Sequence, residues 1–132
     1  TDFTVKDPSV FAEEMAEVLD LYPGRLLSID ETGYQTSQLC NSSEARQAEY
    51  ITEVFRWWDE HAEQAPYLAF LWLTDLSAAD TENFVQLYGL SGQPGAAVFA
   101  EYLRTLGLRT HPGEGADKAG FRRLREELER RN

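Results

Sequence analysis

The sequence is poor in the residues that carry thiol and metal chemistry. Its 132 residues include one cysteine and two histidines. A single cysteine excludes an internal disulfide. Cys40 lacks the flanking glycines of common thiol motifs, so we interpret it as a small apolar loop residue rather than a nucleophile. No metal site is predicted, because Asp75, Asp80 and Glu82 lack the glycine and ligand rhythm of a calcium loop.

Positive charge and long apolar runs are scarce as well. The chain has 12 Lys and Arg against 23 Asp and Glu, a formal charge of −11. Nucleic acid and anionic membranes both attract basic surfaces, so neither is predicted as a partner. No apolar run approaches the roughly 20 residues that span a bilayer. The chain opens with Thr1 rather than Met, so its compartment stays open, and a longer, secreted parent is compatible with it.

The residues that are present indicate one folded domain. A hydrophobic fraction of 42% over this length supports a single core. Apolar residues recur at helical spacing in four stretches. These stretches begin at Asp7-Pro8, at Asn41, Ser42 or Ser43, near Ala97 and near Asp117. Between them, residues 76–94 are interpreted as a long connection.

Two apolar runs are typical of buried parallel strands. They cover residues 26–31 and 67–73. The first ends in Asp30 and Glu31, and in parallel α/β folds catalytic groups collect beyond the carboxyl ends of strands. Strand alternation predicts that Glu31 and Ile29 share one face and that Asp30 points toward the helices, where it needs a partner.

The order helix, strand, helix, strand, helix, helix predicts an α/β fold with two parallel strands. We expect residues 1–107 to form the α/β part, 108–116 a linker, and 117–132 a C-terminal amphipathic helix. Two strands do not make a sheet that helices can cover on both faces. The chain is therefore expected to be incomplete alone, with unpaired strand edges that favour association, for example as a homo-oligomer.

Several of these segments resemble one large enzyme superfamily. The segment Ile29-Asp30-Glu31-Thr32-Gly33-Tyr34 resembles the seventh-strand motif of retaining β-glycosidases with a (β/α)8 barrel, the superfamily of cellulases, mannanases and galactanases. Residues 44–51 resemble the start of the following helix, and Phe70-Leu71-Trp72-Leu73 with Asp75 is similar to the eighth strand. Tyr88-Gly89-Leu90 and Gly92-Gln93-Pro94 resemble the closing segment. The resemblance covers roughly residues 8–106.

The resemblance implies the C-terminal part of a TIM-type (β/α)8 barrel that binds carbohydrate and needs no cofactor. Glu31 would be the nucleophile of a retaining hydrolase of β-linked oligo- or polysaccharide, Trp72 a sugar platform, and Tyr34 a residue that bonds the sugar or lines the cleft. In these families the acid/base Glu follows an Asn, and the chain contains no Asn-Glu pair. Thr1-Asp2-Phe3 would fall just after the sixth strand. The chain alone is thus expected to be inactive, unless a partner or a missing N-terminal barrel half supplies the second carboxylate.

A different class of protein is compatible with the same residues. In this alternative the chain is a small, non-catalytic α/β binding or interaction module, and Glu31 is structural. Trp72 would then be a core residue, as Trp within an apolar run often is. Adjacent parallel strands that carry Glu31 and Trp72 at the same end would favour the barrel interpretation. Antiparallel or separated strands would exclude it.

Overall fold

The computed structural model describes residues 6–111 and 115–132, which form a mixed α/β fold. Two parallel strands are combined with five α-helices, which confirms the predicted α/β class at this level. The elements are α1 (Val10–Leu21), β1 (Ser28–Thr32), α2 (Glu44–His61), β2 (Tyr67–Phe70), α3 (Ala78–Leu87), α4 (Ala96–Arg104) and α5 (Ala119–Glu129), with a short 3-10 turn at Gln38–Cys40. The expectations for Thr1-Asp2-Phe3 and for residues 112–114 of the linker lie outside the described residues.

The two strands pair in parallel, and an irregularity in β1 changes which side chains face the helices. Ile29 pairs with Leu68 and Thr32 with Phe70, so three steps along β1 match two along β2. An extra residue of this kind is a β-bulge. Ile29 and Thr32 are buried on the helix side, whereas Asp30 and Glu31 are both exposed.

The predicted alternation along this strand is therefore wrong. Ile29 packs in the core with Val54 and Trp57 rather than beneath Glu31 on the opposite face. Asp30 does not point toward the helices, and its carboxylate accepts a hydrogen bond from the hydroxyl of Ser28 two residues earlier. Asp30 points away from the helices because its neighbour Ile29 faces them, and the bulge between Ile29 and Thr32 leaves Glu31 exposed beside Asp30.

Helix α2 is the central layer of the molecule. It begins at Ser43, whose hydroxyl accepts from the backbone N–H of Arg46 at 3.2 Å. One side of α2 packs against α1, where the ring of Phe11 meets Trp57 edge-on at a centroid distance of 5.8 Å. The other side packs against α5, whose Phe121 and Leu124 contact the cluster of Ile51, Phe55 and Leu108.

The predicted connection 76–94 contains helix α3, so that interpretation is wrong. Ser77 caps this helix by accepting a hydrogen bond from the backbone N–H of Asp80 at 3.0 Å. Only Thr81 and Val85 of α3 are buried. The apolar stripe that would reveal the helix in the sequence is too short to show a clear period.

The residues after α4 hold the end of β2 rather than forming a free linker. The N–H of Leu108 donates to the carbonyl of Trp72 at 3.0 Å, and that of Arg109 to the carbonyl of Leu73 at 2.9 Å. Gly107 makes this approach possible, since a Cβ there would lie 2.1 Å from the backbone nitrogen of Asp75.

A buried ion pair ties α5 to the same region. Lys118, at the start of α5, places Nζ 2.5 Å from Oδ1 of Asp75 just beyond β2, with both side chains almost fully buried. This ion pair thereby joins the segment that follows β2 to the start of α5.

The face of the sheet opposite the helices is uncovered in the described part of the chain. Tyr67 is 56% exposed and Leu73 is also exposed, so the prediction that residues 67–73 form a buried strand is wrong for these two side chains. Leu26 lies outside β1 and is 73% exposed.

Among residues 6–111 and 115–132, no helix has both the length and the apolar character needed to cross a membrane.

Candidate functional site

A cavity of about 610 Å³ opens where β1 and β2 end. Its walls come from the ends of both strands, from α2, from α3 and from the last turn of α4. The lining residues are Glu31, Thr32, Gly33, Tyr50, Leu71, Trp72, Phe84, Tyr88, Tyr102, Leu103 and Leu106. This volume is within the range of small-molecule sites.

Glu31 and Trp72 both line this cavity, so the structure brings two of the three predicted site residues together. Glu31 is exposed, and among the described residues no side chain bonds or pairs with its carboxylate. Among the described residues that line the cavity, it is also the only charged one. A free carboxylate in an otherwise neutral, aromatic cavity is available to a ligand.

The close approach of the two strand ends fixes the spacing of Glu31 and Trp72. The N–H of Leu71 donates to the carbonyl of Thr32 at 2.8 Å, so the parallel ladder continues up to the residue before Trp72. A Cβ on Gly33 would lie 2.8 Å from the carbonyl oxygen of Leu71. Any side chain at residue 33 would push the strand ends apart, which explains the glycine that follows Glu31-Thr32. The Leu71–Trp72 peptide bond is cis.

Tyr50 brings a phenol from α2 to the floor of the cavity. Its hydroxyl lies 2.6 Å from Oγ1 of Thr32, the residue after Glu31. Burial raises the pKa of Tyr50 to about 12, and the Thr32 hydrogen bond acts in the opposite direction. The phenol is therefore neutral at physiological pH and is a hydrogen-bonding group in the lining that it shares with Glu31.

Tyr34, the third predicted site residue, does not line the cavity. Its side chain is buried, and its hydroxyl donates to the backbone carbonyl of Lys6. The ring stacks on Tyr50 at a centroid distance of 4.9 Å, and Arg46 donates to its hydroxyl at 3.4 Å. In this position Tyr34 packs against Tyr50. Direct contact between Tyr34 and a sugar stays a prediction, because Tyr34 is not part of the cavity lining.

Four aromatic rings in successive contact begin at Trp72, and the first three of them line the cavity. Trp72 and Phe84 lie 5.9 Å apart between centroids with 30° between their planes. Phe84 and Tyr88 follow at 6.5 Å and 20°. Phe99 of α4 then contacts Tyr88 edge-on at 5.5 Å. Rings at these separations are offset from one another, so each leaves part of a face available.

Sequence reasoning missed most of the aromatic lining. Phe84 and Tyr88 lie in the segment interpreted as a connection, and Tyr50 and Tyr102 were assigned to helices without a role in the site. Phe84 and Tyr88 are four residues apart and follow Ser77, a helix cap. This spacing is the signal that could have placed both rings on one face of a helix. Nothing in the sequence indicates that Tyr102 reaches the same cavity as Glu31.

Other parts of the described chain offer weaker sites. No group of three or more His, Cys, Asp or Glu side chains is arranged to hold a metal ion within residues 6–111 and 115–132. Cys40 is fully buried, and burial raises the pKa of its thiol, with Glu101 adding to the effect. A neutral, inaccessible thiol is a poor nucleophile.

Comparisons of the chain with models of known protein families, with curated proteins and with solved structures gave no match. The cavity and its residues are therefore the basis for any assignment of function.

Proposed function

We propose that the chain is the C-terminal part of a (β/α)8-barrel glycoside hydrolase that acts on β-linked oligo- or polysaccharide with retention of configuration. The observation that carries this proposal is the position of Glu31 and Trp72. Glu31 lies in the last part of β1 and Trp72 follows the adjacent parallel strand β2, and both line one cavity at this end of the sheet. In parallel barrels this end of the strands carries the catalytic groups.

In this proposal Glu31 is the nucleophile. Its carboxylate attacks the anomeric carbon of the sugar, the glycosidic bond to the leaving oxygen breaks, and a covalent glycosyl-enzyme forms. Water, which gives a proton to the second carboxyl group of the mechanism, then displaces Glu31 from the anomeric carbon and restores its carboxylate. Trp72 provides a flat apolar surface for the sugar ring and limits the access of water. The hydroxyl of Tyr50, which bonds Thr32, is a neutral hydrogen-bonding group in the same lining.

The proton for the leaving oxygen has to come from another carboxylic acid, which retaining enzymes place about 5–5.5 Å from the nucleophile. The described lining contains no second Asp or Glu. The proposal therefore assigns the acid/base to a segment other than the described residues, on the same parent polypeptide or on a partner, as the resemblance implies.

The absence of an acid/base from the described cavity makes a sharp experiment possible. A 2,4-dinitrophenyl 2-deoxy-2-fluoro-β-glycoside has a leaving group that departs without protonation, so Glu31 alone suffices to form the covalent adduct. A panel of gluco, manno, galacto and xylo reagents would be incubated with the chain, and intact mass and peptide mapping would locate the adduct. We expect one glycosyl group on Glu31 with one member of the panel, and none with Glu31→Gln.

Asp30→Asn is the matched control, because Asp30 is the neighbouring exposed carboxylate on the same bulge. This variant should be labelled like the wild type. Labelling that persists in Glu31→Gln, or a chain that no reagent labels, would contradict the assignment of Glu31 as nucleophile.

The second candidate function is the non-catalytic binding module, and the single carboxylate of the lining favours it. A module of this kind binds the sugar on Trp72 and the neighbouring rings without bond cleavage. It predicts oligosaccharide binding that Trp72→Ala abolishes, together with no covalent labelling of Glu31.

A further inference from the structure

We propose that Tyr88 is a second sugar-stacking platform, so that the cavity binds at least two linked sugar units in a neutral chain. The inference deepens the proposed function, since it rests on carbohydrate as the ligand of this cavity. It does not depend on Glu31 acting as a nucleophile, and the experiments below separate the two.

The first argument is the position of Tyr88. It follows the last residue of α3 and lies one helical turn after Phe84, and both rings line the cavity that contains Glu31 and Trp72. The rings of Trp72, Phe84 and Tyr88 are inclined to their neighbours by only 30° and 20°. The three rings are in mutual contact and form an aromatic wall of the cavity whose exposed member is Tyr88.

The second argument is that the ring of Tyr88 is exposed to solvent and at the same time held by neighbouring rings. Tyr88 is 62% exposed, although it is a large aromatic residue. Its ring is nevertheless held in place, because Phe84 lies on one side and the edge of Phe99 meets it at 81°. The backbone is held as well, since the N–H of Tyr88 donates to the carbonyl of Phe84 at 3.0 Å. An exposed ring that does not need to be ordered on binding is typical of an anchor for a ligand.

The third argument is the charge of the wall. Beyond Glu31, the lining residues are apolar, aromatic or neutral and polar. The flat apolar faces of pyranose rings match such a surface, and the hydroxyl groups at their edges reach water or the tyrosine hydroxyls. A phosphorylated or carboxylated sugar would meet no positive partner on the described lining. The wall therefore fits neutral sugars in a β-linked chain.

The experiment compares affinities for mono-, di- and trisaccharides in wild-type chain and variants, measured by titration calorimetry or ligand-observed NMR. The probes are the β-linked gluco, manno, galacto and xylo series. Tyr88→Ala should weaken binding of the di- or trisaccharide by about tenfold, the loss expected for one aromatic contact. It should leave affinity for the monosaccharide unchanged, because that unit lies on Trp72.

Two controls keep the comparison specific. Tyr88→Phe retains the ring and should keep oligosaccharide affinity within about twofold, a difference well below 1 kcal/mol. Leu87→Ala removes the neighbouring exposed apolar side chain and should have no effect on binding. Circular dichroism of each variant would verify that α3 is retained.

Unchanged oligosaccharide affinity in a folded Tyr88→Ala variant would overturn the inference. Equal weakening for mono- and oligosaccharides would also overturn it, because Tyr88 would then act on the first sugar unit alone. Choline is a further probe, since aromatic rings with one carboxylate also suit quaternary ammonium groups. Binding of choline without binding of any sugar would refute both platforms. Failure of Glu31 to be labelled, with the Tyr88 result as expected, would refute only the nucleophile.

Discussion

Replacement of Lys118 by Met should destabilise the protein through the charge that it leaves behind. Lys118 is 3% exposed. Its Nζ lies 2.5 Å from Oδ1 of Asp75 and donates to Oγ1 of Thr36 at 3.1 Å and to the carbonyl of Thr105 at 3.2 Å. Removal of one partner of a buried ion pair typically costs about 3–5 kcal/mol, because the other charge stays buried without compensation. We expect Lys118→Met to lower the free energy of unfolding by that amount at neutral pH.

The pH dependence of this variant follows from the carboxylate. Burial raises the pKa of Asp75 above its ordinary value, and the hydrogen bond and charge of Lys118 act in the opposite direction. A raised pKa in the folded state means that the Asp75 contribution favours folding at low pH and is lost as pH rises through the folded-state pKa. Without Lys118 that pKa rises further. The stability gap between variant and wild type should therefore shrink as the solution is acidified.

Lys118 itself supports this expectation. Burial lowers the pKa of its ammonium group, with Asp75 acting in the opposite direction. In the wild type at low pH, Asp75 is protonated while Lys118 keeps an unpaired buried charge, which destabilises the wild type alone. Both effects narrow the gap in acid.

The assay is guanidinium unfolding at neutral pH and in mild acid, followed by tryptophan fluorescence and circular dichroism. Asp75→Leu combined with Lys118→Met is the control, because removal of both charges of a buried pair is often close to neutral. The reasoning would be refuted by a Lys118→Met variant within about 1 kcal/mol of wild type at neutral pH, or by one whose stability deficit is the same in acid.

Two further stability changes test the packing around α2. Gly120→Ala should lower the free energy of unfolding by about 1–3 kcal/mol despite the better helix propensity of Ala. The reason is that the new Cβ would lie 2.3 Å from Oε1 of the buried Gln47. Denaturant unfolding measures the loss, and a second substitution, Gln47→Ala, should recover much of it in a double-mutant cycle. A stabilised Gly120→Ala variant would contradict this contact. Ser43→Ala should lower the free energy of unfolding by about 1 kcal/mol through loss of the α2 cap. The control Ser43→Asp retains the cap. Equal thermal stability of wild type and Ser43→Ala would contradict the capping role of Ser43.

The parallel pairing of the strands was accessible from the sequence, because it depends on local signals. Apolar runs marked both strands, and a helix between them required a parallel crossover. The start of α2 was predicted within the group Asn41, Ser42 and Ser43, and Ser43 is the cap. Short-range chemistry of this kind is written in adjacent residues.

The facing of Glu31 and the remaining lining of the cavity were not accessible. The bulge between Ile29 and Thr32 depends on the pairing register of β1 with β2, and no residue of β1 indicates it in the sequence. The ion pair of Asp75 and Lys118 joins residues that are 43 positions apart. Tyr102 reaches the cavity only because α4 packs beside α3. These features come from tertiary contacts, for which a single sequence carries no local signal.

The most direct test of the central claim is a crystal structure of the chain with a β-linked oligosaccharide bound. The account predicts one sugar ring against the indole of Trp72, its anomeric carbon about 3–3.5 Å from a carboxylate oxygen of Glu31, and the next ring against Tyr88. An oligosaccharide bound elsewhere, or one whose anomeric carbon faces away from Glu31, would contradict it.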